Sequence, residues 1–324
     1  MKRPLAYAAL FLVLLAVICA VLDYVVTAGL RRSEMPLYAE WNAIVSGEAG
    51  ADVLIQGSSR TWVGFSPAII GDRLGMSCYN LGMDGYPLDM ELARYRLYRR
   101  YAQKPKIIVQ ALDTYSLNMR TDLYQNNQFL PYLNEEAIRE GVEPYGYFAW
   151  YDYSLPLVRY RGRFELVCKG VAEFFRAHHF TNEKDRGYQG QARGWSDEFE
   201  RWAKEHPDGI EQKYLESLVD DLDSFLAECS RDGIIVVLVY PPEYSKARDM
   251  VNNREEIFAI YRRLAAKYQL EFLDYSYDAM ANDTAYFYNS QHLNKLGSEL
   301  FSARFADSLA GLLPIKGDSA AGGP

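Results

Sequence analysis

Two serines follow an apolar run and a glycine early in the chain, where a hydroxyl could act as a nucleophile. The run over 53–56 is followed by Gly57, Ser58 and Ser59. An apolar run that ends in Gly-x-Ser predicts a buried strand and a tight turn, which would place a hydroxyl at the carboxyl edge of a sheet. Ser59 is therefore a candidate nucleophile. Because glycine and serine are also ordinary turn residues, this pattern alone is a weak signal.

Two further stretches carry polar residues and glycines next to predicted sheet elements. Residues 80–85 read Asn-Leu-Gly-Met-Asp-Gly after a short predicted strand. Residues 289–297 read Asn-Ser-Gln-His-Leu-Asn-Lys-Leu-Gly before the last predicted helix. Since each stretch follows or opens a sheet element, all three stretches could meet at one sheet edge.

The elements that would position these stretches alternate between strand and helix. A serine followed by a proline at 66–67 predicts a helix start, and apolar residues at steps of three and four after 211 predict an amphipathic helix. The predicted strands cover 53–56, 77–81, 106–113, 234–240 and 270–274. The alternation predicts an α/β fold, a three-layer α/β/α sandwich around a mainly parallel five-stranded sheet of the flavodoxin-like kind.

The remaining segments suggest how the chain is organised around this sheet. A polar neck over 33–50 precedes a main domain over 51–315, and 316–324 is predicted to be a disordered tail. The segment over about 116–210 is predicted to be an insertion, with aromatic residues crowded between 124 and 164. We favour a small core built by the insertion itself, because buried aromatics are ordinary. A sugar-stacking surface and a membrane-facing patch are the alternatives.

Residues 1–32 are predicted to be a membrane anchor or an uncleaved signal. An uncharged run over 4–22 follows two basic residues. At about 1.5 Å per residue this run spans roughly 28 Å, close to the hydrocarbon thickness of a bilayer. A cleavable signal peptide is the alternative, because small residues over 26–28 could form a cleavage site.

The composition limits the classes of function. With 324 residues and 49% hydrophobic content, the chain can build a large core. Its formal net charge of -8 gives it no overall positive potential that would attract the phosphates of a nucleic acid. Nucleic acid is therefore not an expected partner. The four cysteines form no CxxC pair and no HExxH pattern occurs, so the sequence predicts neither a disulfide framework nor a metal site.

The three polar stretches together resemble the sequence blocks of the SGNH (GDSL-type) hydrolase superfamily. With its apolar N-terminus the chain resembles most the exported members that act in surface-polysaccharide O-acetylation or teichoic-acid alanylation. The resemblance covers 50–115 and 210–312. It implies that Ser59 is the nucleophile and that His292 is the general base. It also implies that the backbone N–H groups of Ser59 and Gly85 form the oxyanion hole.

The sequence departs from the family pattern at two places. Asn289 stands where the family has an aspartate three residues before the histidine, and an amide carries no charge to stabilise imidazolium. Three outcomes are open: Asp283 or Asp274 supplies the carboxylate, the site works as a Ser–His dyad, or the protein binds acyl-glycans without turning them over. The second departure lies at 112–115, where Leu-Asp-Thr-Tyr replaces the usual asparagine of the oxyanion hole.

Three other polar residues, Asn80, Arg60 and Thr114, are candidate substrate contacts. Arg60 could steer an anionic substrate or pair with a surface carboxylate, and we favour the pairing. Structural alternatives also exist for the proposed catalytic residues. His292 could be a polar residue at a helix start, and Gly85 could be a plain turn glycine.

The resemblance implies an extracytoplasmic, single-pass membrane protein that hydrolyses or transfers an acyl ester, in particular an acetyl ester on a cell-surface glycan. Esterase and O-acyltransferase share the same residues, because only the acceptor differs. A transferase would have a multi-span membrane acyltransferase as its donor partner. The chemistry requires no metal or organic cofactor. The rival class is a catalytically inactive glycan-binding or assembly protein of the same fold, which Asn289 favours.

Overall fold

The computed structural model describes residues 2–177, 182 and 184–313. In these residues the strands are β1 (Val53–Gln56), β2 (Cys78–Asn80), β3 (Ile107–Ala111), β4 (Ile235–Tyr240) and β5 (Glu271–Asp274). The α-helices are α1 (Lys2–Leu30), α2 (Ala39–Ser46), α3 (Ser59–Gly64), α4 (Pro67–Leu74), α5 (Leu88–Tyr101), α6 (Glu136–Val142), α7 (Trp150–Ser154), α8 (Phe164–Phe174), α9 (Glu198–Glu205), α10 (Glu216–Arg231), α11 (Ser245–Arg248), α12 (Arg254–Tyr268) and α13 (Lys295–Leu312). Short 3-10 helices cover Asn126–Tyr132, Glu143–Tyr145, Val158–Tyr160, Ala279–Asn282 and Thr284–Tyr286.

The chain forms two compact units. Unit 1 comprises Met1–Ala49, Leu92–Gln103 and Arg120–Glu183. Unit 2 comprises Gly50–Glu91, Lys104–Met119 and Lys184–Pro324. The segment predicted to be an insertion is thus divided, with 120–183 in unit 1 and 116–119 and 184–210 in unit 2. The segment predicted to be a disordered tail lies outside the described residues.

Unit 2 contains one parallel sheet with the strand order β2-β1-β3-β4-β5. Val53 of β1 pairs with Cys78 on one side and with Ile107 on the other, and Ile107 pairs with Ile235. This order is that of flavodoxin-like folds. The structure therefore confirms the predicted α/β fold with a parallel five-stranded sheet.

Helices cover both faces of this sheet. On one face, Val53 and Val237 belong to a buried cluster that includes Ile70 of α4 and Phe301 of α13. Alternate strand residues point to the other face, on the side where α10 contacts β4 and α12 contacts β5. Burial on both faces explains why the strands read as continuous apolar runs rather than as alternating patterns.

The polar stretches lie where the strand order reverses. From β1 the chain passes to β2 on one side and later to β3 on the other, so the loops after β1 and β3 diverge and open a crevice. Ser59 follows β1, and Asp113 follows β3. His292 comes shortly before α13, whose first turn is capped by the side chain of Asn294, which accepts a hydrogen bond from Gly297 N at 2.9 Å.

Unit 1 packs aromatic residues of the N-terminal and inserted segments against each other. Buried Trp41 of α2 contacts buried Phe129 and Tyr132, with ring centroids 5.8 and 6.0 Å apart. Trp150 and Phe164 are instead 69% and 80% exposed. The inserted aromatics therefore contribute to a core in part and leave other rings uncovered.

The N-terminal helix α1 is long and apolar enough to cross a bilayer. The candidate membrane span covers Arg3–Leu30, with a mean hydropathy of 2.9 in its most apolar window. A signal sequence near an N-terminus meets the same criterion, so the structure supports either the predicted anchor or an uncleaved signal.

Candidate active site

The nucleophile turn depends on a glycine at the end of β1. Gly57 has a φ of 151°, and a Cβ there would lie 2.2 Å from Thr61 Oγ1, so a side chain does not fit. Ser58 then caps α3, with its hydroxyl accepting a hydrogen bond from Arg60 N at 3.2 Å. Ser59 becomes the first residue of α3, half-buried, and its N–H has no acceptor within the helix.

Asn80 ties the nucleophile helix to the second polar stretch. Its side chain is fully buried and its amide donates to the carbonyl oxygens of Thr61 and Phe65, each at 2.8 Å. Its Oδ1 accepts a hydrogen bond from Gly82 N at 2.8 Å. Backbone groups thus use both the nitrogen and the oxygen of this amide. The prediction that Asn80 contacts substrate is therefore corrected, because this side chain cross-links two backbone segments.

The loop that carries Gly85 runs beside the nucleophile turn. Leu81 N donates to Ile55 O at 2.6 Å, and Met83 N donates to Gly57 O at 2.8 Å. Gly85 is half-buried and has a φ of 74°, in the left-handed region that favours glycine. The residue that the resemblance assigns to the oxyanion hole thus lies on a loop that is fixed to the strand before Ser59.

The structure brings Ser59 and His292 into hydrogen-bond contact. Ser59 Oγ lies 2.8 Å from His292 Nε2, and His292 Nδ1 lies 2.9 Å from Asn289 Oδ1. An amide oxygen only accepts, so the contact with Asn289 holds the proton on Nδ1 and leaves the Nε2 lone pair for the serine proton. Asn289 Oδ1 also accepts from His292 N at 2.9 Å, which fixes the amide itself.

The two carboxylates considered as substitutes are engaged elsewhere. Asp283 is exposed and its Oδ1 accepts a hydrogen bond from Ala285 N at 2.9 Å. Asp274 accepts a hydrogen bond from Ser276 N at 2.9 Å and lies 3.6 Å from Arg254 Nη2. In the described part of the chain the group that orients His292 is therefore an amide.

Arg60 forms a buried ion pair rather than the predicted surface pair. Arg60 and Asp113 side chains are both 3% exposed, with Nη1 2.5 Å from Oδ1. Arg60 Nη2 donates to Pro241 O at 2.6 Å, and the guanidinium lies 4.7 Å from the Tyr240 ring centroid. Ser58 Oγ donates to the second carboxylate oxygen of Asp113 at 2.5 Å. The ion pair thus joins both neighbours of Ser59 to the end of β3, and no part of Arg60 faces a substrate.

This arrangement keeps the histidine neutral. Burial, with a further contribution from Arg60, lowers the pKa of His292 to about 4, although Asp113 acts in the opposite direction. Tyr288 stacks on the imidazole with ring centroids 5.3 Å apart and an interplanar angle of 13°. His292 is therefore an unprotonated base at neutral pH, oriented by an amide and by an aromatic ring. Sequence reasoning missed Tyr288 because no spacing links an aromatic to the face of a later histidine.

A cavity of about 260 Å³ adjoins Asn289, the amide that contacts the base. Asn289 and Thr114 line it, together with Glu243 and Trp202. Burial raises the pKa of the Glu243 carboxyl, which accepts a hydrogen bond from the Tyr240 hydroxyl. The predicted contact Thr114 thus lies at a cavity, while Glu243 and Trp202 were missed because they lie outside the three sequence stretches.

Comparisons with known proteins leave the family of this chain open. No family model and no curated protein matches it. A candidate platelet activating factor from Streptococcus pneumonia has 13% identity and a TM-score of 0.42, covering 94% of this chain and 99% of that chain. A candidate acylhydrolase from Bacteroides fragilis has 11% identity and a TM-score of 0.37, covering 80% and 87%. A candidate lipolytic protein of the G-D-S-L family from Desulfitobacterium hafniense has 12% identity and a TM-score of 0.36, covering 79% and 98%.

Proposed function

We propose that this chain is a membrane-anchored, extracytoplasmic serine esterase or O-acyltransferase. The observation that carries the proposal is the chain of contacts from Ser59 Oγ to His292 Nε2 at 2.8 Å and from His292 Nδ1 to Asn289 Oδ1 at 2.9 Å. A serine with a base in reach, and a third group that orients the base, is the general arrangement of nucleophilic acyl transfer.

The groups present supply each step of ester cleavage. Ser59 Oγ attacks the ester carbonyl carbon while its proton passes to His292 Nε2. The negative charge on the carbonyl oxygen is stabilised by the N–H groups of Ser59 and Gly85. The intermediate expels the alcohol, which takes the proton back from Nε2, and the acyl group stays on Ser59. Water or an acceptor hydroxyl then attacks the acyl-enzyme with the same base, which makes the reaction hydrolysis or transfer respectively.

Asn289 limits the power of this base. Its oxygen holds the correct tautomer of His292, but a neutral amide gives little stabilisation to the imidazolium that forms in the transition state. In a serine protease the exchange of the triad aspartate for asparagine lowers turnover by about 10⁴. We therefore propose a slow enzyme or one with a reactive acyl donor.

For the substrate we propose an acetyl ester on a cell-surface glycan. The sequence resemblance to exported O-acetylation proteins supports this choice, and α1 supports attachment to a membrane. In the transferase form the proposed donor partner is a multi-span membrane acyltransferase. The proposed chemistry needs no metal or organic cofactor.

A non-catalytic glycan-binding or assembly protein is the second candidate. Asn289 favours it, because the position offers an amide instead of a carboxylate. The contact between Ser59 and His292 favours the enzyme, since binding alone has no need for a base beside a serine.

Reaction with a fluorophosphonate probe separates the two candidates. We expect covalent labelling of Ser59 in the purified full-length chain, located by peptide mass spectrometry, and no labelling of the Ser59→Ala variant. A Ser46→Ala variant is the matched control and should be labelled like the wild type, because the exposed Ser46 hydroxyl donates to the Ala43 carbonyl oxygen. Unlabelled wild-type protein with an intact circular dichroism spectrum would overturn the catalytic proposal and leave the binding protein.

A further inference from the structure

Helix α8 of unit 1 has one apolar face that is mostly exposed in the described residues. The face consists of Phe164, Cys168, Val171 and Phe175, which directly follows the helix. Spacings of four, three and four residues place them on one side of a helix. Phe164 and Phe175 are 80% and 69% exposed, and Cys168 is also exposed. We call these four residues the α8 apolar face.

The opposite side of α8 packs on the end of α1. Tyr24 is still 64% exposed, whereas Val26 and Leu30 are fully buried. A Cβ on Gly29 would lie 1.8 Å from Gly170 O, so the two backbones cross in direct contact. α1 is therefore bare through the uncharged run over 4–22 and becomes covered beyond it, where α8 crosses it and residues 157–160 contact it.

Asp23 marks the end of the apolar part of α1. Its carboxylate accepts hydrogen bonds from Arg159 Nη2 at 2.5 Å and from Leu157 N at 2.8 Å. A carboxylate with these partners belongs outside hydrocarbon, and the uncharged run over 4–22 before it spans roughly 28 Å. The crossing with α8 at 26–29 then lies about 5–9 Å beyond Asp23, within the headgroup layer.

The contacts of α8 also give the direction of its apolar face. Glu173 and Phe174 lie on opposite flanks of Gly170, because successive helical residues are about 100° apart. Glu173 accepts a hydrogen bond from Ser33 Oγ at 3.1 Å, beyond the end of α1. The Phe174 ring contacts Tyr24, toward the apolar part of α1, with ring centroids 6.2 Å apart, and the Arg32 guanidinium lies over the same ring, 5.8 Å from its centroid. Measured around the axis of α8, the α8 apolar face lies about 100–160° from Gly170, on the same side as Phe174. It therefore points toward the part of α1 that would lie in the membrane.

We propose that α8 is an interfacial helix that lies flat in the membrane surface beside α1, with the α8 apolar face among the lipid acyl chains. The proposal rests on the anchoring part of the proposed function. Helices with one apolar and one charged face lie at this depth, and the Glu165–Lys169 ion pair at 2.6 Å provides the charged side. With α1 spanning and α8 lying flat, unit 1 is held at the membrane in one orientation.

The native Cys168 provides the probe. In a Cys19→Ala variant of the full chain, Cys168 is the exposed thiol, because Cys78 and Cys229 are buried. We would label it with the fluorophore NBD and reconstitute the chain in vesicles of phosphatidylcholine and phosphatidylglycerol. The matched control carries the label at Glu165→Cys in a Cys168→Ser background, since the Glu165 side chain is 82% exposed on the charged side. Alkaline carbonate extraction of the same vesicles reports on the anchor.

We expect the Cys168 label to emit at shorter wavelength than the control label and to be quenched by doxyl lipids at least about twofold more. Adding Phe164→Ser and Phe175→Ser should move its emission toward that of the control. If the chain stays in the vesicles after carbonate extraction but iodide quenches both labels equally, α8 is not interfacial. That result would overturn the proposal and still support the anchor. Release by carbonate would overturn both, and a label shielded from iodide and from doxyl lipids would assign the face to a protein partner instead.

Discussion

The two sides of the candidate active site are held by different kinds of interaction. On the nucleophile side, the buried pair of Arg60 and Asp113 clamps the turn, and Ser58 donates to the same carboxylate. On the base side, His292 is held by the amide of Asn289 and the ring of Tyr288, both neutral. The protein thus uses its buried charges to fix the backbone of the nucleophile turn rather than to stabilise a protonated base.

This difference has a chemical consequence for the base. Burial and the nearby Arg60 lower the pKa of His292 to about 4, and the Asn289 amide on Nδ1 carries no charge that would raise it. A base of low pKa is unprotonated over a wide pH range but accepts a proton with less driving force. The site therefore keeps His292 unprotonated over a wide pH range but makes it a weaker base.

Removal of the base has the largest expected effect. We expect His292→Gln to lower kcat/KM for an activated acetyl ester by about 10²–10⁴, because Ser59 then has no proton acceptor. His206→Gln is the matched control, since that imidazole stacks on Trp202 and its Nδ1 contacts the Trp202 carbonyl oxygen rather than the serine. Steady-state kinetics on both variants measures the effect, and near-normal activity of His292→Gln would show that the contact with Ser59 has no catalytic role.

Removal of one charge from the clamp should mainly affect stability. Arg60→Met leaves Asp113 buried and unpaired, which we expect to lower the free energy of unfolding by about 3–5 kcal/mol. Arg73→Met removes one partner of the exposed pair with Asp307 and should leave that free energy nearly unchanged. Urea denaturation of the detergent-solubilised chain, followed by circular dichroism, compares them. Equal midpoints for the two variants would mean that the clamp does not hold the fold.

The pH dependence tests the neutral base. Because burial and Arg60 lower the pKa of His292 to about 4, kcat/KM should stay on its plateau at pH 5 and fall to half near pH 4. A histidine with the ordinary value of 6.5 would already have lost about 30-fold at pH 5. The same depressed pKa contributes to the free energy of unfolding. This contribution is fully present above pH 6.5 and is lost as the pH falls toward 4, because the unfolded chain then binds a proton that the folded chain does not. If kcat/KM of the folded enzyme instead fell to half at pH 6.5, His292 would not have a depressed pKa.

The smallest expected effect concerns the ring that stacks on the base. Stacked aromatic pairs contribute about 0.5–1.5 kcal/mol, so Tyr288→Leu should lower kcat/KM by about 2- to 10-fold with little change in KM. Tyr277→Leu, at a tyrosine that is 70% exposed, serves as the control. A Tyr288→Leu variant with the activity of the control would mean that Asn289 alone orients His292.

The sheet and the meeting of the polar stretches were predictable from the sequence. Each strand is a short apolar run between glycines, prolines and polar residues, and the carboxyl ends of parallel strands meet at one edge whatever joins them. The prediction placed Ser59 and His292 together across 233 residues, and the structure has them in contact.

What the sequence does not contain is the partner of each polar side chain. Arg60 reads as a surface residue because most arginines are exposed, and only the fold reveals that Asp113 comes within 2.5 Å of it. Asn80 reads as a site residue because it opens a polar stretch, yet its amide is used by the carbonyls of Thr61 and Phe65. In unit 1, the crossing of α1 and α8 depends on two glycines with no recognisable spacing between them.

The Asn289→Asp variant tests most directly whether the base lacks a carboxylate. With Asn282→Asp as a control for added charge, kcat/KM for an activated acetyl ester is measured across pH. We predict a gain of about tenfold or more for Asn289→Asp alone, with the acidic limb moving to higher pH because a carboxylate beside the imidazole raises its pKa. An unchanged rate and an unchanged limb would contradict the account, because a carboxylate such as Asp283 would then already serve His292 in the natural protein.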